Sequence, residues 1–141
     1  MSGAAVTTTV ARPRVLIVDD AAYNREVLVQ NLEDEYELLE AADGVAAVVI
    51  ARSQLPDVIL MDLSLPGIDG WEAVRLLRRD PATAWIPIVA VTAHAMAGDE
   101  GRALASGCDD YLSKPVDDEL LQAKVRQWLA RGRQRRSAGG G

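Results

Sequence analysis

A chain of 141 residues suits one domain with a real core, and 49% hydrophobic with 26% charged residues is ordinary for a globular protein. A formal charge of −6 argues against a general nucleic-acid binder, whose footprint is basic. No stretch nears the ~18 apolar residues of a membrane span, MSGAAVTTTVARPR has no secretory leader, and the single cysteine, Cys108, forbids an internal disulfide; together these favour a reducing, cytoplasmic setting.

Residues 1–12 are small and Thr-rich without periodicity, which predicts a disordered N-terminal segment before a domain over 13–131. RVLIVD (14–19) reads as a strand, followed by a helix over 22–34 with Val27, Leu28 and Leu32 on its inner face. YELLEA (36–41) is a more amphipathic strand suited to a sheet edge. DGVAAVVIARSQ (43–54) is rich in β-branched residues, yet its length and the spacing of Val45, Val48 and Val49 predict a helix. Pro56 precedes a third strand, DVILMD (57–62), and the loop LSLPGID leads to a helix over 70–79.

IPIVAVT (86–92) is the fourth strand. A helix over 96–107 follows, weakened by Gly98 and Gly101, each costing roughly 1 kcal/mol against Ala in a helix interior. DYLSK (110–114) is a short fifth strand. Asp117 or Asp118 caps a last helix with the apolar stripe Leu121, Val125, Trp128 and Leu129. Residues 132–141, GRQRRSAGGG, are expected to form a flexible basic tail. Arg126, Arg131, Arg133, Arg135 and Arg136 have no acid among them; they could meet a membrane, RNA or an acidic partner, or simply solubilise a helix end. Trp71, Trp85 and Trp128 read as packing residues, and Cys108 as a small buried hydrophobe.

Five strands alternating with five helices imply an open α/β fold with a mainly parallel sheet, in which strands 1, 3 and 4, the most continuously apolar, are central. Sites in such sheets lie beyond the carboxyl ends of the strands. Asp19 and Asp20, Asp62, Thr92 and Lys114 stand at the ends of strands 1, 3, 4 and 5. Three carboxylates drawn together at ~5 Å repel by about 3 kcal/mol per pair at an effective dielectric of ~20. One lysine cannot balance them. An all-oxygen set of this kind suits a hard dication such as Mg²⁺, so Asp19 and Asp20 form a half-built cation site that Asp62 completes.

VDD, PDVILMDLSLPGIDGWE, VTAHAM and GCDDYLSKPVD, in this order and each at a predicted strand end, resemble the receiver domains of two-component response regulators, in particular those of hybrid sensor kinases and single-domain regulators. The resemblance runs from about Arg14 to Arg131. It implies a flavodoxin-like fold, five parallel strands in the order 2-1-3-4-5 flanked by five helices. It also implies that Asp62 accepts a phosphoryl group from a phosphohistidine of a sensor kinase or histidine phosphotransfer protein, in a reaction that needs Mg²⁺, with Mn²⁺ as a substitute. Asp20 would bind the metal directly, Asp19 largely through water, and the Ser64 backbone carbonyl would be a further ligand.

By the same resemblance Lys114 pairs with Asp62 and then with a phosphoryl oxygen, while the Thr92 hydroxyl and the Ala93 N–H contact the phosphoryl group. A cis bond before Pro115 is implied, where proline also holds Lys114 extended. Thr92 and Tyr111 resemble the switch pair, which makes the face of helix 4, strand 5 and helix 5 the output surface for a downstream effector. Ser64 and His94 resemble the positions that tune the lifetime of the phosphoryl group. Such a receiver is a phosphoacceptor rather than a multiple-turnover enzyme, a cytoplasmic monomer or weak dimer with no DNA-binding domain in this chain.

Blander readings stand beside these. Tyr111 also reads as a half-buried strand aromatic with a wet hydroxyl, Thr92 as a helix cap, Lys114 as a solvated strand-end lysine and His94 as a solvated loop residue. Ala21 stands where many relatives are polar, at the rim of the site. A receiver-fold interaction module that takes no phosphate is the alternative function, against which the intact set of Asp19, Asp20, Asp62, Thr92 and Lys114 argues. A Mg²⁺-dependent phosphatase would lack an obvious general acid, since Ser64 stands two residues after Asp62. A flavin site would need a phosphate-cradling loop where the acidic DDAAYN stands.

Overall fold

In a computed structural model, residues 12–63, 70–93 and 99–140 are described. They form β1 (Arg14–Val18), α1 (Ala22–Leu32), β2 (Glu37–Ala41), α2 (Gly44–Gln54), β3 (Val58–Met61), α3 (Gly70–Arg79), β4 (Ile88–Thr92), α4 (Asp99–Ala105), β5 (Asp110–Ser113) and α5 (Asp118–Gly140). All four strand pairs are parallel and the sheet order is β2-β1-β3-β4-β5. The expected topology is the observed one. Apart from Arg14 at the start of β1 and Thr92 at the end of β4, strands β1, β3 and β4 are apolar because helices cover both their faces.

The period-2 alternation of the strands divides the core in two. Leu16, Val18, Ile59, Met61, Ile88 and Ala90 face the layer of α2, α3 and α4, against Ala47, Ala51, Val74, Leu77 and Ala103. Val15, Ile17, Val58, Leu60, Val89 and Val91 face α1 and α5, against Leu28, Leu32, Leu121, Val125, Trp128 and Leu129. Burying each large aliphatic side chain stabilises the fold by about 1.5–3 kcal/mol. The expected stripe of α5 is buried throughout, and of its two candidate caps Asp117 serves, its carboxylate accepting from the Leu120 N–H at 2.9 Å.

Elsewhere the helices rotate or end differently from the expectation. On α2 only Val48 of the three valines is buried; Val45 and Val49 are 52% and 58% exposed. The inward stripe is Gly44, Ala47, Val48 and Ala51, small residues that let the helix approach the sheet closely. Val27 on α1 is likewise 38% exposed, while Leu28 and Leu32 are buried. Helix α1 stops at Leu32, with Glu33 as its cap, and α4 stops at Ala105 before Gly107, whose φ of +118° suits glycine alone. Residues 96–98 of the expected fourth helix lie outside the described residues.

The largest correction is at the C-terminus. Residues 132–140, expected as a flexible tail, continue α5. Their arginines have partners on the body: Arg135 donates to Asp109 at 2.6 Å, Arg131 and Arg135 lie over the Trp128 ring at 4.9 and 5.4 Å, and Arg136 lies over Trp85 at 4.8 Å. Gly132 packs so closely on Pro87 that a Cβ there would lie 2.8 Å from its ring. Composition suggested a loose end because it does not reveal that anionic and aromatic partners stand beneath the helix. Of the expected N-terminal segment only Arg12 is described, its guanidinium donating to the Glu33 carbonyl at 3.0 Å.

Candidate functional site

The strand ladder runs one residue past the strand ends and so fixes the backbones that carry the polar side chains. Asp19 N–H donates to Ala41 O at 3.1 Å, Asp62 N–H to Val18 O at 2.9 Å, and Lys114 N–H to Thr92 O at 3.0 Å. With β3 and β4 paired through Met61 and Ala90, the ends of β1, β3, β4 and β5 are held side by side. Asp19, Asp62 and Thr92 are buried, at 2%, 6% and 2% exposure, and Asp20 is exposed at the rim.

Carboxylate oxygens of Asp19, Asp20 and Asp62 lie within 4.8 Å of one another. The Lys114 ammonium is 2.5 Å from Asp19 and 3.3 Å from Asp62, so it bridges both acids and sits closer to Asp19 than the expected pairing with Asp62 suggests. Burial works to lower the pKa of Lys114, but hydrogen bonds and charge from Asp19 and Asp62 outweigh it and the net direction is upward. Lys114 therefore stays charged at neutral pH. Among the described residues the cluster sets three carboxylates against the one ammonium that bridges two of them, an excess of negative charge. A donor set made only of carboxylate oxygens with that charge fits Mg²⁺ or Mn²⁺ and does not fit a soft metal.

Asp19, Asp20, Asp62, Thr92 and Lys114 are thus gathered at one end of the sheet, as the sequence implied. Tyr111 is half-buried on β5, paired in register with Ala90 and packed against the core beneath α4. The Lys114–Pro115 bond is cis. Ser64 and His94 lie outside the described residues. Beside the crevice opens a cavity of about 260 Å³ lined by Tyr23, Asn24, Val27, Lys114, Pro115 and Val116, with Tyr23 76% exposed at its edge.

Three residues with no role in the sequence reading belong to the site. Asn24 and the Ala21 N–H both donate to Asp19 Oδ1, at 3.4 and 2.9 Å. The Arg25 guanidinium donates to the Asp19 carbonyl at 2.7 Å and pairs with Glu40 at 3.0 Å. Gly70 begins α3 directly under Asp62: a Cβ there would stand 2.3 Å from the Asp62 carbonyl oxygen and 2.5 Å from Leu63 Cα. A glycine opening the helix after LSLPGID was the available signal for Gly70; nothing local marks Arg25.

Residues 15–126 match the family model of the response regulator receiver domain. The chain is 45% identical to the response regulator PleD of Caulobacter vibrioides over 80% of its length, and spans 25% of that protein. It is 41% identical to the polar-differentiation response regulator DivK of Brucella anthropi, over 82% of this chain and 94% of DivK. Among solved structures, the receiver domain of the sensor histidine kinase PA1611 from Pseudomonas aeruginosa, with a magnesium ion coordinated in its active-site cleft, superposes with a TM-score of 0.79 at 37% identity, covering 85% of this chain and 99% of that one.

Proposed function

The chain belongs to the response regulator receiver family of two-component signalling, and on that premise we propose that it takes a phosphoryl group on Asp62 from a phosphohistidine and changes its partners accordingly. The carrying observation is the buried Asp62 carboxylate, within 4.8 Å of Asp19 and Asp20 and 3.3 Å from the Lys114 ammonium. A carboxylate placed beside an ammonium and two further acids suits attack on phosphorus, because a dication and Lys114 together would neutralise the charge of the incoming group.

In the transfer an Asp62 oxygen attacks phosphorus in line as the phosphorus–nitrogen bond of the phosphohistidine breaks, and the imidazole leaves with the bonding pair. Lys114, already between Asp62 and Asp19, follows the phosphoryl oxygens with its charge, and the Thr92 hydroxyl donates to one of them. Asp19, Asp20 and Asp62 would hold Mg²⁺, which when bound neutralises charge on the transferring group. Asp19 is pinned by Ala21, Asn24 and Lys114, so its carboxylate is oriented beforehand. On this reading the domain is a phosphoacceptor rather than a turnover enzyme, which the absence of an acid at Ser64, two residues after Asp62, supports.

The output is read as the face of α4, β5 and α5, reached through Thr92 and Tyr111. Support comes from Thr92 lying in register with Ser113 and Ala90 with Tyr111, so that a shift of Thr92 toward Asp62 acts on the strand that carries the ring. The matched stretch is 25% of PleD, and what the rest of that protein does is not transferred to this chain.

Incubation with Mg²⁺ and acetyl phosphate, followed by intact mass measurement, tests the reading. One added phosphoryl group, lost on chelation and in Asp62→Asn, is the expected result. An unchanged mass under conditions that label another receiver would instead favour a phosphorylation-independent interaction module.

A further inference from the structure

Asp20 is the exposed acid of the cluster, and among the described residues its carboxylate takes part in no hydrogen bond or ion pair. Its direction is therefore set by its backbone. That backbone follows a residue held on both of its peptides, since the Asp19 N–H donates to Ala41 at the end of β2 and the Asp19 carbonyl accepts from Arg25 Nη1 at 2.7 Å. The carbonyl belongs to the peptide that joins Asp19 to Asp20. Arg25 is itself fixed: its side chain is 18% exposed, its Nε donates to Glu40 at 3.0 Å, and its N–H donates to Ala21 O at 3.1 Å.

Resting on the phosphoacceptor reading above, we propose that Arg25, held by Glu40, is a positioning residue that locks the Asp19–Asp20 peptide and so sets the affinity of the acidic pocket for its divalent cation. Arg25 touches neither cation nor phosphoryl group. It acts through the backbone of the acids, as groups behind metal ligands do when their loss weakens binding about 10–100-fold. A guanidinium suits this place because it can serve a carbonyl and a carboxylate with separate N–H groups in one plane, which a lysine ammonium cannot reproduce.

The electrostatic effect of Arg25 has the opposite sign, which makes the inference testable. A cation near three carboxylates repels an incoming dication, so if charge dominated, Arg25→Ala would bind Mg²⁺ more tightly than the wild type. Positioning predicts weaker binding. The double variant Arg25→Ala/Glu40→Ala removes the pair with no change in net charge and isolates the positioning effect.

Calorimetric titration with Mg²⁺ of the whole chain is the measurement, alongside amide hydrogen exchange at Asp20 and Ala21 in metal-free protein. Expected are about tenfold weaker Mg²⁺ binding in Arg25→Ala and in the double variant, partial recovery in Arg25→Lys, and faster exchange at both amides. The Mg²⁺ concentration for half-maximal phosphorylation by acetyl phosphate should rise, with the rate at saturating Mg²⁺ unchanged. Equal or tighter binding in folded Arg25→Ala, or unchanged exchange, overturns the proposal; if Arg25→Ala does not fold, wild-type binding by Arg25→Lys overturns it. Wild-type protein that binds no Mg²⁺ overturns the phosphoacceptor reading and this proposal together, whereas wild-type binding with unaltered variants overturns this proposal alone.

Discussion

The Lys114 ammonium lies 2.5 Å from Asp19 and 3.3 Å from Asp62, so one cation joins the end of β1 to the end of β3 from a residue just past β5. Replacing it with methionine leaves three carboxylates with no ammonium among them. Phosphoryl uptake from acetyl phosphate should slow by about 10²–10³-fold, the usual effect of removing one charge-stabilising donor. Because Mg²⁺ then takes over the neutralising role of the lost ammonium, Mg²⁺ should raise the melting temperature of Lys114→Met more than that of the wild type. Scanning calorimetry with and without EDTA checks this, and equal shifts would contradict it.

Asp62→Asn should be more stable than the wild type when no metal is present. Asp62 has two like charges within 4.8 Å and the Lys114 ammonium at 3.3 Å, and the expectation is that relief of the like-charge repulsion outweighs loss of the ion pair. At about 3 kcal/mol per pair before relaxation, a net gain of about 1 kcal/mol is expected. Saturating Mg²⁺ should erase it. Urea unfolding in EDTA and in Mg²⁺ gives both numbers.

Two glycines should respond to alanine in opposite ways. At Gly101 on α4 the added methyl meets nothing within 4 Å, so Gly101→Ala should stabilise the protein by about 0.5–1 kcal/mol through helix propensity. At Gly70 the same methyl would stand 2.3 Å from the Asp62 carbonyl oxygen, and backbone must move. Gly70→Ala should destabilise by about 1–3 kcal/mol and slow phosphoryl uptake by shifting the acceptor. Urea midpoints and acetyl phosphate kinetics measure the pair.

Burial pushes the Cys108 thiol up to about 12 from 9.0; Arg78 opposes the rise and Asp109 adds to it. At pH 8.5 iodoacetamide should therefore label Cys108 only as urea unfolds the chain. The thiol binds its proton more tightly folded than unfolded, so its contribution to stability is fully present below about pH 9 and is lost between about 9 and 12. Cys108→Ala should lose less stability than the wild type across that window, as urea midpoints at pH 8 and 10.5 would show.

Tyr23 stands 76% exposed at the edge of the cavity that Lys114 also lines, where a protein donor seated over the acidic pocket would meet it. A small donor needs no contact there, whereas a protein donor does. Tyr23→Ala should leave phosphorylation by acetyl phosphate unchanged and slow transfer from a phosphorylated histidine domain about tenfold. Equal slowing with both donors would place Tyr23 in the chemistry instead.

Much of the site could be read locally because its residues mark the ends of strands. An apolar run terminates in Asp19, Asp62 and Thr92, and the run itself shows that the residue beyond it stands at the sheet edge. Helix faces were less legible where hydrophobic bulk misled: on α2 the exposed Val45 and Val49 outweigh Ala47 and Ala51 in hydropathy, yet close approach to the sheet selects the alanines. The C-terminal helix failed the sequence reading for a different reason. Arg135 and Arg136 look like solvated charges until Asp109 and Trp85, far away in the chain, are placed beneath them.

By itself the sequence determined the order of strands and helices, the parallel sheet and the acids, hydroxyl and amine at its carboxyl edge, because side-chain periodicity and strand termination are properties of neighbouring residues. Only the tertiary structure decided that Lys114 leans on Asp19 as well as Asp62, that Arg25, paired with Glu40, holds the carbonyl between Asp19 and Asp20, and that Gly70 must be bare beneath the acceptor. Those contacts join segments up to 95 residues apart, and distances of that kind are set by how the layers pack.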